Sequence, residues 1–451
     1  MKRQVLTTVA AIALCAGAAQ AEMIFQPGEN PNINWQSLDD FAAEHGGLDG
    51  QKLVILGPWL SGDRDLFVSI LPYFEAATGA SVEYNGSDSF EQQIVIDAEG
   101  GSPPDMAVFP QPGLAADLAR AGRLKPLGAD LGDWLRENYA AGDGWADLVT
   151  YAGPDGAEQV YAFPYKADVK SLVWYVPENF EDAGYEVPET LEELRALTEQ
   201  IAADGETAWC IGLGSGGATG WPATDWVEDL MLRINPPEAY DQWVTNEMPF
   251  NAPEVVAAID AFGWFAKNSD FVAGGTGAVA STDFRDSPNG LFTSPPGCYM
   301  HRQASFITTF FPEGTEIGQD ADFFYFPASE EAGLGQPLLG GGTSFALLTD
   351  NPVGPAFIEF LKTPAAHEIW MAQQGFMTPH RGVNMDAYSD ETVRRMGQIL
   401  LDATTFRFDG SDMMPGAIGA GAFWSAMVDF VGGKSAQDAA DAVQATWDTI
   451  Q

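Results

Sequence analysis

The chain has 451 residues, more than one hydrophobic core normally serves, so its length predicts two lobes. Its 64 acidic and 21 basic residues give a formal charge of −43, which argues against nucleic acid and anionic lipid as partners and favours a soluble monomer. With 46% hydrophobic residues the chain has ample material for a core, so the charge does not indicate disorder.

Residues 1–21 have the order of a secretory signal peptide. Two basic residues precede an apolar stretch from Val5 to Cys15, and the small residues Ala19 and Ala21 form a cleavage site. The apolar stretch is shorter than the roughly 20 residues that cross a bilayer. We therefore expect export to a periplasm, with a lipid-modified Cys15 as the less favoured alternative.

A βαβαβ order predicts a parallel sheet with helices on both faces near the N-terminus. After an extension with one short helix (35–45), the pattern predicts strands at 52–56, 81–84 and 105–109 and helices at 65–77 and 90–98. A second series follows from residue 161. It comprises strands at 171–176 and 210–213 and helices at 190–203, 224–233, 253–268, 352–362, 365–374, 391–401 and 436–450.

Two cysteines remain beyond the predicted signal peptide, Cys210 and Cys298. In an oxidising compartment such a pair is expected to form a disulfide. Two separate buried thiols are the alternative.

The sequence offers little for catalysis. The four histidines, at positions 45, 301, 367 and 380, lack metal-ligand spacing, and no nucleophile motif is present. The tract Gly340-Gly341-Gly342 lacks the lysine of a phosphate loop and suits a close backbone crossing. We therefore expect no metal, no cofactor and no enzymatic activity. A carbohydrate-active enzyme stays open as an alternative, because glycoside cleavage needs only two placed carboxylates.

Several tryptophans lie in turn-rich stretches beside polar side chains. Trp59 is followed by Asp63 and Arg64, and Trp424 follows a glycine-rich turn. A sugar ring presents an apolar face and a girdle of hydroxyls, so its site needs flat aromatic surfaces together with fixed donors and acceptors. This combination favours a sugar site. The alternatives are core packing for each tryptophan and an interlobe or N-cap salt bridge for Arg64 or Arg302.

Longer motifs resemble the carbohydrate-binding proteins of ABC importers, the maltose-binding-like family 1 of extracellular solute-binding proteins, and most closely their periplasmic α-glucoside-binding branch. The motifs that carry the resemblance span 74–79, 86–91, 104–113, 163–175, 209–212, 218–229, 298–306 and 407–412. The resemblance covers nearly the whole chain beyond the predicted signal peptide.

The resemblance implies a periplasmic-binding-protein-like fold of type II, with two α/β lobes joined by a hinge. Three chain crossings are expected near 164–168, 338–343 and 378–384. One lobe would comprise 22–165 and 342–380, and the other 166–341 and 381–451. The lobes would close on the ligand, and the closed form would be recognised by inner-membrane ABC permease subunits.

The resemblance also implies an α-glucoside of the maltose, sucrose or trehalose type as ligand. Another solute, such as a glycosylglycerol or a sugar acid, is the alternative, because a few loop residues set specificity. The predicted binding residues come from both lobes: Trp59, Asp63, Arg64, Gln111, Lys166, Asp168, Trp221, Asp225, Trp226, His301, Arg302 and Trp424.

Overall fold

A computed structural model describes residues 23–140, 142–402 and 405–450. The predicted signal peptide, residues 1–21, lies outside them. The first part of the chain contains α1 (Trp35–His45), β1 (Lys52–Gly57), α2 (Ser61–Val68), α3 (Leu71–Thr78), β2 (Ser81–Gly86), α4 (Phe90–Gly100), β3 (Met106–Phe109), α5 (Pro112–Arg120), α6 (Ala129–Asn138), α7 (Gly142–Leu148), β4 (Thr150–Ala152) and β5 (Glu158–Val160).

The middle and last parts alternate helices with short strands. The middle contains β6 (Ala162–Val169), β7 (Leu172–Tyr175), α8 (Pro177–Ala183), α9 (Leu191–Ala203), α10 (Trp221–Ile234), α11 (Pro237–Val244), α12 (Pro253–Ala266), α13 (Thr276–Val279), β8 (His301–Arg302), β9 (Asp322–Tyr325) and β10 (Pro337–Leu347). The last part contains α14 (Val353–Leu361), α15 (Pro364–Met371), α16 (Glu391–Asp402), β11 (Thr405–Phe408), α17 (Gly410–Met413), a π-helix (Ala417–Phe423) that continues into α18 (Trp424–Val431), and α19 (Ala436–Ile450). Among these described helices, none has the length and apolar composition needed to span a membrane.

Local sequence signals place most helix boundaries. Thr190 caps α9 by accepting a hydrogen bond from the Glu193 amide, and Glu193 reaches back to the Thr190 amide, so the predicted capping box is confirmed. Helices α1 and α19 begin and end at the predicted residues. These segments combine an apolar face with a defined start, which is why the sequence pattern is sufficient to predict their boundaries.

Two local predictions were wrong. The single helix expected over 65–77 is two helices, because Pro72 at the start of α3 lacks an amide hydrogen and its ring disfavours a continuous helix through Ile70 and Leu71. The strand expected over 210–213 is an extended segment without a regular ladder. Its amides are bonded to separate loops, for example Cys210 to Met300 and Leu213 to Val279.

The large sheet places three parallel strands side by side. Strand β1 pairs in parallel with both β2 and β3, as the βαβαβ pattern predicts. Strand β10 is antiparallel to β3 over Ser344–Leu347 and parallel to β11 over Pro337–Gly340, and β6 pairs with its other edge. A smaller antiparallel sheet has the order β8-β7-β9.

Hydrophobic side chains form two large clusters, as expected for two lobes. One surrounds the large sheet and includes Phe67, Phe345 and Trp370, and the other includes Trp209 and Phe262. The adjacent residues Leu338 and Leu339 of β10 belong to different clusters, so this strand runs past both. The exact lobe boundaries stay a prediction. Ala387 and Tyr388, beyond the predicted boundary at 380, still pack in the first cluster.

The predicted disulfide between Cys210 and Cys298 is present, with Cα atoms 5.6 Å apart. Gly290 lies directly against it, because a Cβ added there would lie 2.3 Å from Cys298 Sγ. Both cysteines are buried. The bridge joins the start of the segment 210–213 to the loop before β8. It therefore adds a covalent link to a region that has few regular strand hydrogen bonds.

Candidate functional site

A cleft of about 890 Å³, partly open to solvent, lies at the edge of the large sheet where β1, β2 and β3 end. Because these strands are parallel, their carboxyl ends meet at one edge, where open α/β sheets usually bind ligands. This wall is formed by the segments that follow the three strands: Pro58, Trp59, Leu60, Asp63, Ser87, Asp88, Glu91, Pro110 and Gln111.

The opposite wall comes from residues between Lys166 and Trp424. Two neighbouring strands contribute Lys166 and Asp168 (β6) and Thr343 (β10), and Lys170 follows β6. The crossing of these strands is close, since a Cβ on Gly342 would lie 2.5 Å from the Lys166 carbonyl oxygen, which agrees with the expected role of the glycine tract. The remaining wall residues are Ser215, Ala218, Trp221, Asp225, Phe284, Arg285, Phe306, Gly342, Ser411, Asp412 and Trp424.

The structure brings eight of the twelve predicted binding residues together around this cleft. They are Trp59, Asp63, Gln111, Lys166, Asp168, Trp221, Asp225 and Trp424. They lie on segments separated by up to several hundred positions in the chain, so the common cavity is a tertiary feature. Their role in binding stays a prediction, but the geometry that the prediction requires is present.

The other four predicted residues lie elsewhere. Arg64 is an exposed side chain paired with Asp65 at 3.0 Å. His301 is buried, its Nδ1 lies 2.8 Å from the Cys210 carbonyl oxygen, and burial lowers its pKa to about 4. Arg302 is buried and donates from Nη2 to Asp229 Oδ2 at 2.7 Å. Each arginine is ion-paired within its own predicted lobe, Arg64 with the next residue of α2 and Arg302 with Asp229 of α10, so neither forms the interlobe or N-cap salt bridge that was the alternative.

Trp226 points into the second hydrophobic cluster, against Trp209 and Phe265 at ring separations of 5.1 and 5.2 Å. The physical reason is the helix. Because α10 begins at Trp221, residues 221 and 225 are four positions apart and share the face toward the cleft, whereas residue 226 is rotated by about 100°. Placing the helix start at Thr224 hid this distinction, since it left Trp221 in a turn.

Sequence reasoning missed several polar wall residues, among them Glu91, Lys170, Arg285 and Asp412. A signal for three of them was available. Glu91 and Asp412 end two of the motifs that carry the family resemblance, and Lys170 lies inside a third. Arg285 lies outside those motifs and had no comparable signal.

Five buried polar atoms of the cleft wall have no hydrogen-bond partner among the described residues. They are Gln111 Oε1, Asp225 Oδ2, Arg285 Nε, Thr343 Oγ1 and Trp424 Nε1. A buried polar atom left unpaired costs about 1–3 kcal/mol, and native proteins contain few of them. The set contains both donors and acceptors, so its chemistry suits a ligand rich in hydroxyl groups.

Indole rings add flat apolar surface to the same wall. The Trp221 ring lies 4.9 Å from Phe284 and the Lys170 ammonium lies 5.8 Å from the Trp221 ring centre. Trp424 is almost fully buried, and its backbone carbonyl is held against Gly220, where a Cβ would approach within 2.4 Å. Rings fixed in this way can pack on the C–H face of a sugar while the polar atoms bind its hydroxyls.

A buried polar cluster, here called the acid floor, consists of Lys170 and four carboxyl groups: Asp225, Glu228, Asp409 and Asp412. Of these residues, Lys170, Asp225 and Asp412 line the cleft. Lys170 Nζ donates to Asp225 Oδ1 at 3.0 Å and also to Asp409 Oδ2. Oxygen atoms of Asp225, Glu228 and Asp409 lie within 4.8 Å of one another. Since the Lys170 ammonium already binds two of them, the cluster is an ion-pair network and we assign no metal to it.

Carboxyl groups on both walls have raised pKa values. Burial raises the pKa of Asp63 to about 6 against the opposing effect of Lys166, and it raises the pKa of Glu91 to about 7 against the opposing effect of hydrogen bonds. On the acid floor, burial raises the pKa of Asp225 to about 7 and holds those of Glu228 and Asp412 well above their usual range. Asp409 differs, because Lys170 outweighs burial and lowers its pKa to about 2.

Comparison with known families decides what kind of protein this is. The family model for bacterial extracellular solute-binding proteins matches residues 62–368, more than half of the chain. The chain belongs to this family. Proteins of the family bind small molecules for ABC permeases, and they are binding proteins rather than enzymes, in agreement with the absence of a catalytic motif.

Two curated relatives cover most of this solute-binding protein. It is 61% identical to the alpha-glucosides-binding periplasmic protein AglE of Rhizobium meliloti (strain 1021), over 100% of both chains. It is 42% identical to the osmoprotective compounds-binding protein GgtB of Synechocystis sp., over 89% of this chain and 94% of the relative. The periplasmic relative implies export of this chain.

A solved structure shows the same fold. The bacterial solute receptor AcbH, described as having an exclusive preference for β-D-galactopyranose, superimposes with a TM-score of 0.75 over 89% of this chain and 99% of its own, at 19% identity. The fold is therefore the predicted type II periplasmic-binding fold, in which two α/β lobes are joined by a hinge.

Proposed function

We propose that this protein is the periplasmic binding component of a sugar importer and captures an α-glucoside in the cleft between its two lobes. The observation that carries the proposal is the cleft wall itself. It combines the indole rings of Trp221 and Trp424 with unpartnered donors and acceptors such as Arg285 Nε and Thr343 Oγ1. The relative with 61% identity, whose name specifies α-glucosides, supports the ligand class.

The mechanism follows from the two-sided cleft. Ligand first binds one wall, and rotation of the second lobe then adds contacts that only a bound ligand can bridge. Closure is favoured by the difference in ligand affinity between the closed and open forms. The closed monomer, exported by its signal peptide, is the form that inner-membrane permease subunits recognise.

The charge of the wall favours a neutral ligand over a sugar acid. The carboxyl groups of Asp63, Asp88, Glu91, Asp168, Asp225 and Asp412 face only three basic side chains, those of Lys166, Lys170 and Arg285. Lys166 is bonded to Asp168 at 2.8 Å and Lys170 to the acid floor, so neither is available to pair with a ligand carboxylate. A glycosylglycerol remains a second candidate, because the Synechocystis relative binds osmoprotective compounds.

Calorimetric titration of the purified protein with maltose, sucrose, trehalose, glucosylglycerol and a glucuronide tests the proposal. We expect saturable binding of at least one α-glucoside with a dissociation constant near the micromolar range, about −8 kcal/mol, no binding of the glucuronide, and no product in the cell. Hydrolysis of the sugar, or binding of the glucuronide alone, would refute it.

A matched pair of variants locates the ligand. Trp424→Phe removes part of the ring surface and the Nε1 donor from the cleft, and we expect at least a tenfold weaker affinity. Trp264→Phe changes a tryptophan of the second hydrophobic cluster that does not line the cleft, and we expect unchanged affinity. Equal effects of the two substitutions would place the ligand elsewhere.

A further inference from the structure

The acid floor contains more carboxyl groups than its one lysine can neutralise. Lys170 Nζ bonds Asp225 Oδ1 at 3.0 Å and contacts Asp409 Oδ2, but it lies 3.9 Å from Asp412 Oδ2, beyond hydrogen-bonding distance. Ionisation of all four carboxyl groups would leave excess negative charge in a buried region. Buried charges without partners are costly, so such a cluster retains protons.

The arginines behind the acid floor compensate this charge only in part. Arg302 and Arg233 each donate to Asp229 at 2.7 Å and are engaged there. Arg302 Nη1 approaches Asp225 Oδ2 only to 3.8 Å. On the side of α11, the neighbouring titratable group is Tyr240, whose hydroxyl donates to the Phe408 carbonyl oxygen and carries no charge.

The opposite wall adds further negative charge. Glu91 on α4 borders the same cavity and interacts unfavourably with Asp412. Lys166, a basic residue of β6 that lines the same cleft, is bonded to Asp168 at 2.8 Å. Glu91 therefore adds negative charge near Asp412 that Lys166 does not neutralise.

The hydrogen bonds within the floor identify the carboxyl groups that hold the proton. Asp409 accepts from Lys170, from the Ser411 hydroxyl at 2.9 Å and from the Asp412 amide at 2.9 Å, so it is fully bonded as a carboxylate. Glu228 accepts from two backbone amides and does not border the cavity. Asp225 and Asp412 do border it, and Asp225 Oδ2 has no partner among the described residues.

We propose that Asp225 and Asp412 together retain at least one proton when the cleft holds its ligand and donate it in a hydrogen bond to a ligand oxygen, so that ligand capture takes up a proton from solvent. The inference rests on the proposed function, since it concerns the same site. The cleft is partly open to solvent, and a ligand that fills it removes the water around both groups and raises their proton affinity. Burial already raises the pKa values of both groups in the ligand-free protein, which agrees with this geometry.

The consequence is a pH-dependent affinity. A group whose pKa is raised further by the bound ligand favours binding at low pH, and this contribution is lost as the pH rises from the pKa of the ligand-free form through that of the bound form. For one proton taken up, the dissociation constant increases by up to about tenfold per pH unit in that window. Affinity therefore falls on the alkaline side of neutrality.

The test is titration of the intact protein with the best-bound α-glucoside at pH 7.5 in phosphate and in Tris, two buffers with different enthalpies of ionisation. We expect the apparent binding enthalpy to differ between the two buffers. Dividing this difference by the difference in their ionisation enthalpies should give an uptake of up to one proton. We also expect the dissociation constant to rise between pH 6.5 and 9. Equal enthalpies in the two buffers together with a constant affinity refute the inference. Absence of glucoside binding at every pH instead refutes the proposed function.

Asp412→Asn assigns the proton, because asparagine keeps the shape and always carries donor hydrogens. We expect it to bind at pH 9 more tightly than the unmodified protein, with the proton uptake reduced by at least half. Asp130→Asn, an exposed change on α6, is the control and should behave as the unmodified protein. A folded Asp412→Asn protein that no longer binds shows that the charge is required and contradicts the inference. If this variant does not fold, the two-buffer titration of the unmodified protein decides.

Discussion

Replacing Arg302 by methionine separates a structural role from a ligand-binding role for this residue. The sequence placed Arg302 among the sugar ligands, whereas the structure buries its side chain completely and pairs Nη2 with Asp229 Oδ2 at 2.7 Å. Removing one partner of a buried ion pair typically costs about 3–5 kcal/mol, because the other charge is left uncompensated. Methionine conserves much of the buried apolar stem.

The expected magnitude lies at the lower end of that range. Asp229 keeps two partners in the variant, Arg233 Nη1 at 2.7 Å and the Ser171 hydroxyl at 2.7 Å. We therefore expect Arg302→Met to lower the free energy of unfolding by about 3 kcal/mol. This is a large share of the total free energy of unfolding of a typical domain, which is roughly 5–15 kcal/mol. Because Arg302 does not border the cleft, the dissociation constant should change by less than about threefold in the folded variant.

Urea denaturation followed by tryptophan fluorescence measures the stability, and calorimetric titration of the same samples measures the affinity. Arg64→Met is the matched control, because Arg64 is an exposed arginine paired with Asp65 and should change stability by less than about 0.5 kcal/mol. The reasoning is refuted if Arg302→Met unfolds like the unmodified protein but binds the glucoside more than tenfold less tightly.

Three further predictions concern other parts of the fold. Glu91→Gln should stabilise the ligand-free protein by about 2 kcal/mol at pH 8 and have little effect at pH 5. Burial raises the Glu91 pKa to about 7, so the unfavourable charged form is present only above that pH. Urea denaturation at both pH values measures the difference, and a larger gain in stability at pH 5 would contradict the prediction. Asp117 Oδ2 accepts a hydrogen bond from the Gly416 amide at 2.9 Å, and the two residues belong to different predicted lobes. Asp117→Ala should therefore weaken glucoside binding about tenfold in calorimetric titration. Unchanged affinity would show that this hydrogen bond does not stabilise closure. Cys210→Ser should lower the free energy of unfolding by about 4 kcal/mol because the bridge closes a loop of 88 residues, and a loss below about 1 kcal/mol would contradict the chain-entropy argument.

The sequence by itself determined the fold class, the disulfide and much of the candidate site. Helix α9 with its capping box and the βαβαβ pattern around β1 depend on neighbours close in the chain, and such local patterns can be read without coordinates. Trp59 and Trp424 were predicted because their indole groups occur in turn-rich stretches, where binding residues concentrate, whereas Gln111 was implied by the family resemblance.

Only the tertiary structure decided which way each polar or aromatic side chain points. Trp221 and Trp226 are five residues apart, yet the start of α10 turns the first toward the cleft and the second into the core. Arg302 and Lys170 have similar charge, but Arg302 is bound by Asp229 while Lys170 organises the cavity floor. The physical reason is that burial and ion pairing depend on residues such as Asp229 and Asp409, which lie 73 and 239 positions away from Arg302 and Lys170 respectively, and no local pattern specifies those distances.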